Sequence, residues 1–180
     1  MAMLEQRIQQ QFFESADLLY QVAEPVARPL EEAAQTLLGC LTAGGKLLVG
    51  GSALAAYFAE LCVRGFERER PPLAALALPA APLARSVLAL GLPGDVLLLV
   101  DDGDERLDAA ASVTAAHDKE MAVVALAGGE PAWRALLGET DVLVGLPHTR
   151  AARVREAQLL ALHAMADALD LQLMGETDPS

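Results

Sequence analysis

The chain has 180 residues and a formal net charge of −12, and its composition of 53% hydrophobic but 4% aromatic residues suits one domain with a core of Ala, Leu and Val. The acidic balance argues against direct nucleic-acid binding, because duplex affinity depends largely on Lys and Arg contacts to phosphate. An uninterrupted apolar run of about 18 residues and an apolar N-terminal leader are both absent from the sequence, which predicts a cytoplasmic protein that spans no membrane.

The N-terminal region is predicted to form two helices. Apolar residues recur with a roughly helical period over residues 3–24, and Pro25 and Pro29 are expected to break that helix. A second helix is predicted over residues 30–43, with acidic residues in its first turn and a Gly-Gly pair after its end.

Short apolar segments and helices alternate through the rest of the chain. The segments expected to be strands are residues 46–49, 73–78, 96–100, 121–126 and 142–146. The helices expected after them are residues 53–66, 83–90, 105–117, 131–137 and 150–174. This order predicts a doubly wound α/β domain over residues 1–180, with a five-stranded parallel sheet in the core at 46–146. The N-terminal helices and the long C-terminal helix carry more apolar surface than one five-stranded sheet can cover. This surplus predicts a homodimer or homotetramer.

Seven short motifs carry a resemblance to a known family. They are AGGKLL at 43–48, GGSA at 50–53, YFAE at 57–60, FERERP at 66–71, PGDVLL at 93–98, AAHDKEMAVVAL at 115–126 and ARVREAQLLALHAMADAL at 152–169. Their order and spacing resemble the sugar isomerase (SIS) domain, in the branch of phosphoheptose isomerase and the DnaA initiator-associating protein. The resemblance implies a parallel α/β fold, assembly as a dimer of dimers, and active sites between subunits. Phosphoheptose isomerase converts sedoheptulose 7-phosphate for lipopolysaccharide heptose synthesis, whereas the DnaA initiator-associating protein is a non-enzymatic regulator of replication initiation.

The loop after the third predicted strand departs from the family. The resemblance implies a loop rich in Ser, Thr and Gly that binds a sugar phosphate, but this chain carries Asp101, Asp102, Asp104 and Glu105. Four carboxylates are expected to repel phosphate. Asp101, Asp102 and Asp104 could instead bind a divalent cation or form a solvated acidic start to the next helix, and the second interpretation is favoured because no EF-hand spacing is present.

Two further departures concern catalysis. Isomerisation needs a carboxylate and an imidazole as base and acid, and the family's glutamate and histidine positions are placed on Leu61 and Gln158. Neither side chain carries a proton at neutral pH. Glu60 is one residue away, about 100° around the helix, and is expected to point elsewhere. The sequence therefore predicts no catalytic residues and a degenerate active site.

The other candidate positions each allow two interpretations. Gly50, Gly51 and Ser52 could bind an anion at a helix start, or Ser52 could simply cap that helix, which is favoured. His163 is expected to be a packed interface histidine rather than a catalyst, and His148 follows a strand without an obvious partner. Trp133 could be a packing residue or an exposed anchor. The alternating charges at 64–70 suit a solvated helix end or a subunit rim. Cys40 and Cys62 are expected to be buried thiols, and no metal or cofactor is predicted.

The function predicted from these departures is contact with another protein. The favoured hypothesis is a non-catalytic SIS protein that resembles the DnaA initiator-associating protein, with DnaA as a possible partner. The alternatives are a phosphoheptose isomerase or sugar-phosphate-binding protein, and an oligomer with an unrelated partner. Leu171, Leu173 and Met174, just before the acidic tail, could form the partner contact or close the core or the subunit interface.

Overall fold

Five parallel strands form the centre of the structure, a computed structural model that describes residues 2–103, 107–147 and 150–175. The strands are β1 Leu47–Gly51, β2 Ala75–Ala77, β3 Val96–Asp101, β4 Ala122–Gly128 and β5 Val142–Leu146. Their order in the sheet is β2-β1-β3-β4-β5, and every neighbouring pair is parallel. The predicted doubly wound parallel sheet is confirmed.

Helices cover both faces of this sheet. They are α1 Ala2–Thr42, α2 Ala53–Arg64, α3 Leu83–Leu90, α4 Ala109–Asp118, α5 Glu130–Arg134 and α6 Ala151–Met174. Along β1, Leu47 and Val49 belong to the apolar cluster under α1, α2 and α6, whereas Leu48 faces the cluster under α3, α4 and α5. Since consecutive side chains of a strand point to opposite faces, a strand covered on both sides must be apolar throughout, as these segments are.

The predicted break in the N-terminal helix is wrong. One helix of 41 residues, α1, runs through Pro25 and Pro29 without interruption. A proline inside a helix removes one backbone hydrogen bond and crowds the preceding turn. Here Pro25 is exposed, and Val22 and Val26 on either side of it are buried in the core. We infer that packing of this apolar stripe outweighs the backbone cost, because most helical stability in proteins comes from tertiary contacts.

The helix predicted at 105–117 begins later than expected. α4 starts at Ala109, and Asp108 is its N-cap, with Oδ1 accepting a hydrogen bond from the Ala111 amide at 2.9 Å. Asp101 is instead the last residue of β3. Asp101 and Asp102 therefore precede α4 instead of forming its first turn, and Asp104 and Glu105 lie outside the described residues.

Side-chain contacts tie the N-terminal half of α1 to the start of α6. Ser15 donates to Glu156 at 2.6 Å, and Arg153 donates to Gln11 at 2.6 Å. Arg150 donates to Glu14 at 3.0 Å, and this hydrogen bond lowers the pKa of the Glu14 carboxyl. α1 and α6 are therefore held together by polar contacts as well as by the shared core.

Both cysteines are free thiols that are buried, as predicted. Burial raises the pKa of the Cys62 thiol to about 12, so it stays protonated at neutral pH. Within residues 2–103, 107–147 and 150–175, no group of three or more His, Cys, Asp or Glu side chains is placed to hold a metal ion. In the same ranges, no helix is both long and apolar enough to cross a membrane.

Candidate functional site at the strand switch point

The sheet changes direction of winding between β1 and β3. The chain passes from β1 to β2 on one side and then returns to place β3 on the other side of β1. The chain leaves the carboxyl ends of these two strands towards opposite faces of the sheet, into α2 and α4, and ligands of open α/β sheets bind in the crevice at such a point. Gly51 ends β1 and Ser52 follows it on one side of this point, and Asp102 and Gly103 follow β3 on the other. Two of the predicted site segments are thus adjacent.

The loop after β1 is held tightly against β3. The Ser52 amide donates to the Val100 carbonyl at 2.8 Å, and the Ser52 hydroxyl accepts from the Leu54 amide at 3.3 Å as the N-cap of α2. The capping interpretation of Ser52 is confirmed. Gly51 has a φ of +113°, and a Cβ atom there would lie 2.3 Å from the Val100 carbonyl oxygen. Only glycine fits this position without moving β3.

We predict that Gly51→Ala lowers the free energy of unfolding by about 2–3 kcal/mol, because it combines a strained backbone with a clash against a backbone oxygen. Urea denaturation would measure the free energy of unfolding of the parent and the variant. Gly39→Ala is the matched control, since Gly39 lies in α1 and a Cβ atom there would meet no neighbouring group within 4 Å. That control is expected to stabilise the protein by about 0.5–1 kcal/mol. A Gly51→Ala variant as stable as the parent would show that the turn tolerates a side chain.

The carboxylates after β3 are engaged by N–H groups. Asp101 accepts from the Gly103 amide at 2.8 Å and from Trp133 Nε1 at 3.0 Å. Trp133 is buried against the α3–α5 face of the sheet, so it packs its short helix and is not an exposed anchor. Asp102 Oδ2 accepts from Arg155 Nε at 2.5 Å. The guanidinium of Arg155 therefore offsets part of the negative charge that the sequence places in this loop.

Neither of the two positions aligned with the family's acid and base is available for catalysis. Leu61 is fully buried in the apolar cluster under α1, α2 and α6. Gln158 is also fully buried, and its Nε2 donates to the Asp101 carbonyl at 2.7 Å and to the Leu126 carbonyl at 3.0 Å. Gln158 thus fastens α6 to the ends of β3 and β4.

An imidazole lies further along the same helix. His163 Nε2 and the Tyr57 hydroxyl are hydrogen-bonded at 2.7 Å, and the ring of Phe66 lies against the other side with centroids 4.9 Å apart. His163 is half-buried and is five residues beyond Gln158, about 7.5 Å along α6. Glu60, one turn after Tyr57 on α2, is exposed and lies 3.5 Å from Arg64. α2 and α6 therefore bring a held imidazole and a carboxylate to one side of the sheet.

A buried ion pair positions the segment that covers this imidazole. Asp170 on α6 pairs with Arg70 and also accepts from the Phe66 amide at 3.1 Å. Arg70 donates further to the carbonyls of Cys62 and Leu61, at 2.7 and 3.2 Å. The sequence indicated a solvated helix end or a subunit rim for 64–70, but Arg70 is buried. The alternating charges of this segment gave no sign that one of them had a partner 100 residues away.

The three residues of the predicted partner contact lie away from the crevice. Leu171 and Leu173 are half-buried and Met174 is exposed at the far end of α6, about 20 Å along the helix from Gln158. His117, in the last turn of α4, pairs with Asp141 at 2.7 Å just before β5, at the amino ends of the strands and not at their carboxyl ends. His148 lies outside the described residues.

The topology and this crevice define an SIS-type α/β protein. The chain is 48% identical to the phosphoheptose isomerase of Methylibium petroleiphilum in an alignment of 198 positions that covers 99% of both chains. The solved phosphoheptose isomerase of Neisseria gonorrhoeae is 31% identical, with a TM-score of 0.81 and coverage of 93% of this chain and 98% of that one. The corresponding enzyme of Francisella tularensis is 29% identical, with a TM-score of 0.84 and coverage of 94% and 99%.

The chain belongs to the phosphoheptose isomerase family. A scan against protein-family models found no match. The similar proteins are named as isomerases, and this overturns the prediction of a non-catalytic protein similar to the DnaA initiator-associating regulator. The prediction that the chain is not an enzyme is wrong on the same finding. Nothing among these relatives supports DnaA as a partner.

Proposed function

We propose that this protein is a phosphoheptose isomerase that interconverts sedoheptulose 7-phosphate and its aldose isomer in the cytoplasm. The observation that carries the proposal is the 48% identity over 99% of both chains to a phosphoheptose isomerase. The crevice at the switch point supports it, because that is where α/β sheets bind their ligands.

The reaction transfers a proton between adjacent carbons of the sugar, so it needs groups that accept and donate protons near neutral pH. Histidine has an ordinary pKa close to that range. His163 is the histidine that the described part of α6 offers, and its hydrogen bond to Tyr57 fixes the orientation of the ring. We assign it the role of acid/base group. Glu60 is the one carboxylate of α2 and lies about 60° around the helix from Tyr57, so it is the partner base to test.

The experiment is an assay of sedoheptulose 7-phosphate turnover with protein purified from a host that lacks its own phosphoheptose isomerase. Saturable turnover is expected, with kcat in the usual range of about 1–10³ s⁻¹. Isothermal titration with the same substrate would be run in parallel. Binding without turnover, or neither, contradicts the proposal.

We further propose that the protein works as a homo-oligomer built through α1. The N-terminal half of this helix exposes six large apolar side chains, namely Met3, Leu4, Ile8, Phe12, Phe13 and Tyr20. A cavity of about 440 Å³ between α1 and α6 is lined largely by apolar residues of both helices. Exposed apolar surface of this extent is typical of an interface.

We predict that light scattering gives a mass that is a multiple of 18.9 kDa at micromolar concentration. A Phe12→Ser, Phe13→Ser double variant should shift the mass towards the monomer, because it removes two of the three aromatic side chains of this exposed set. Leu92→Ser, at an exposed turn between α3 and β3 and outside the N-terminal half of α1, is the control and should leave the mass unchanged. A monomeric parent protein would contradict this assembly.

A further inference from the structure

Two buried acceptors beside the crevice have no hydrogen-bond donor among the described residues. They are Asp102 Oδ1 and Gln158 Oε1. The Asp102 side chain is only 7% exposed, and its other oxygen is bonded to Arg155. Buried polar atoms in folded proteins are nearly always paired, and an unpaired one indicates a missing donor. Gln158 binds the backbone of Asp101, so both acceptors lie at the end of β3.

Arg155, by contrast, has hydrogen-bond donors that lack acceptors among the described residues. Its Nε atom donates to Asp102, and among the described residues its two Nη nitrogens bind no other group. The side chain is 57% exposed. A guanidinium carries five N–H donors in a planar fork that matches phosphate. Ser52 lies close by, because its amide bonds to Val100, two residues before Asp102.

We propose that Asp102 and Arg155 together recognise the sugar phosphate, with Arg155 binding the phosphate group and Asp102 accepting a hydrogen bond from a sugar hydroxyl. This inference rests on the proposed isomerase function and names the residues that select its substrate. Arg155 leaves Asp102 in part when it turns to the phosphate, which uncovers the carboxylate for the hydroxyl. In this chain an arginine of α6 thus supplies the positive charge that the acidic loop after β3 lacks.

The test is isothermal titration of inorganic phosphate and of sedoheptulose 7-phosphate into the full chain and its variants. Arg155→Gln should weaken the binding of both ligands by about 10- to 100-fold, the usual effect of a hydrogen bond to a charged group. Arg155→Lys should restore part of the loss, because it keeps the charge but not the fork. Asp102→Asn should tighten the binding of inorganic phosphate, since the carboxylate no longer competes for the guanidinium.

Arg150→Gln is the matched control, because Arg150 is also close to half-exposed, at 55%, but pairs with Glu14 on α1. Its binding of both ligands should equal that of the parent. In the turnover assay Arg155→Gln should raise KM by the same factor and leave kcat within about threefold, which separates a binding role from acid/base catalysis.

Three results overturn this inference. In the first, the Arg155→Gln and Arg155→Lys variants both bind the two ligands as tightly as the parent. In the second, Asp102→Asn weakens phosphate binding as much as Arg155→Gln does. If the parent protein still turns over the substrate in these two cases, the proposed function remains intact. A parent protein that neither binds nor converts sedoheptulose 7-phosphate defeats both.

Discussion

Replacing His163 by glutamine is expected to lower kcat for sedoheptulose 7-phosphate by about 10²–10⁴-fold while KM changes little, because general acid–base groups typically contribute that much to the chemical step. Glutamine keeps a hydrogen bond to Tyr57 but carries no proton near neutral pH. The half-buried packing of the ring between Tyr57 and Phe66 means that the fold should tolerate this polar replacement. Steady-state kinetics with protein from an isomerase-free host would measure the change.

His117→Gln is the matched control for this variant. His117 is also a hydrogen-bonded histidine, but it pairs with Asp141 at the amino ends of the strands, away from the crevice, so its replacement should leave kcat within about twofold. Glu60→Gln tests the proposed carboxylate partner by the same assay and should also lower kcat. If His163→Gln retains a kcat within about threefold of the parent, His163 is not the acid/base group.

Asp170→Ala is expected to lower the free energy of unfolding by about 3–5 kcal/mol, because it leaves the Arg70 guanidinium charged and buried without its partner. The same change removes the acceptor of the Phe66 amide, and Phe66 packs on His163. The loss of stability should therefore be accompanied by weaker isomerase activity. Urea denaturation followed by circular dichroism would give the first quantity and the turnover assay the second.

Asp167→Ala is the matched control, since Asp167 is exposed and one turn earlier on the same helix. It should change the free energy of unfolding by less than about 0.5 kcal/mol. An Arg70→Met, Asp170→Leu double variant removes both charges and is expected to be less destabilised than Asp170→Ala. A loss below about 1 kcal/mol for Asp170→Ala would mean that the buried pair contributes little beyond its desolvation cost.

The sequence was sufficient to identify the family, but it was not sufficient to decide whether the chain is an enzyme. Seven motifs in order along the chain were sufficient to place it beside phosphoheptose isomerase, and the comparisons confirm that placement. The choice of a non-catalytic protein depended on two aligned positions, Leu61 and Gln158, and on formal charge in one loop. Leu61 and Gln158 are buried in the structure. The imidazole of His163, five residues further along α6, is hydrogen-bonded to Tyr57 of α2. Alignment of single positions could not show which side chains face each other.

The sequence by itself determined the strands and the class of fold. Continuous apolar runs such as residues 96–100 can be satisfied only by burial on both faces, and that requirement fixes a parallel sheet between helices. The Gly51–Ser52 turn could also be predicted, because a strand-to-helix turn with a serine cap has a local sequence signature. These features depend on neighbours within a few residues, so local patterns are enough to predict them.

Only the tertiary structure decided the features that join distant parts of the chain. The Pro25 region stays helical because Val22 and Val26 pack in the core, an energy that local propensity does not contain. Arg70 is buried because Asp170 lies 100 residues away in sequence but in contact in space. Asp102 meets Arg155 across 53 residues in the same way. The sequence alone does not identify the partner of a charged residue. Whether that residue is solvated, paired or catalytic depends on which elements the fold brings together.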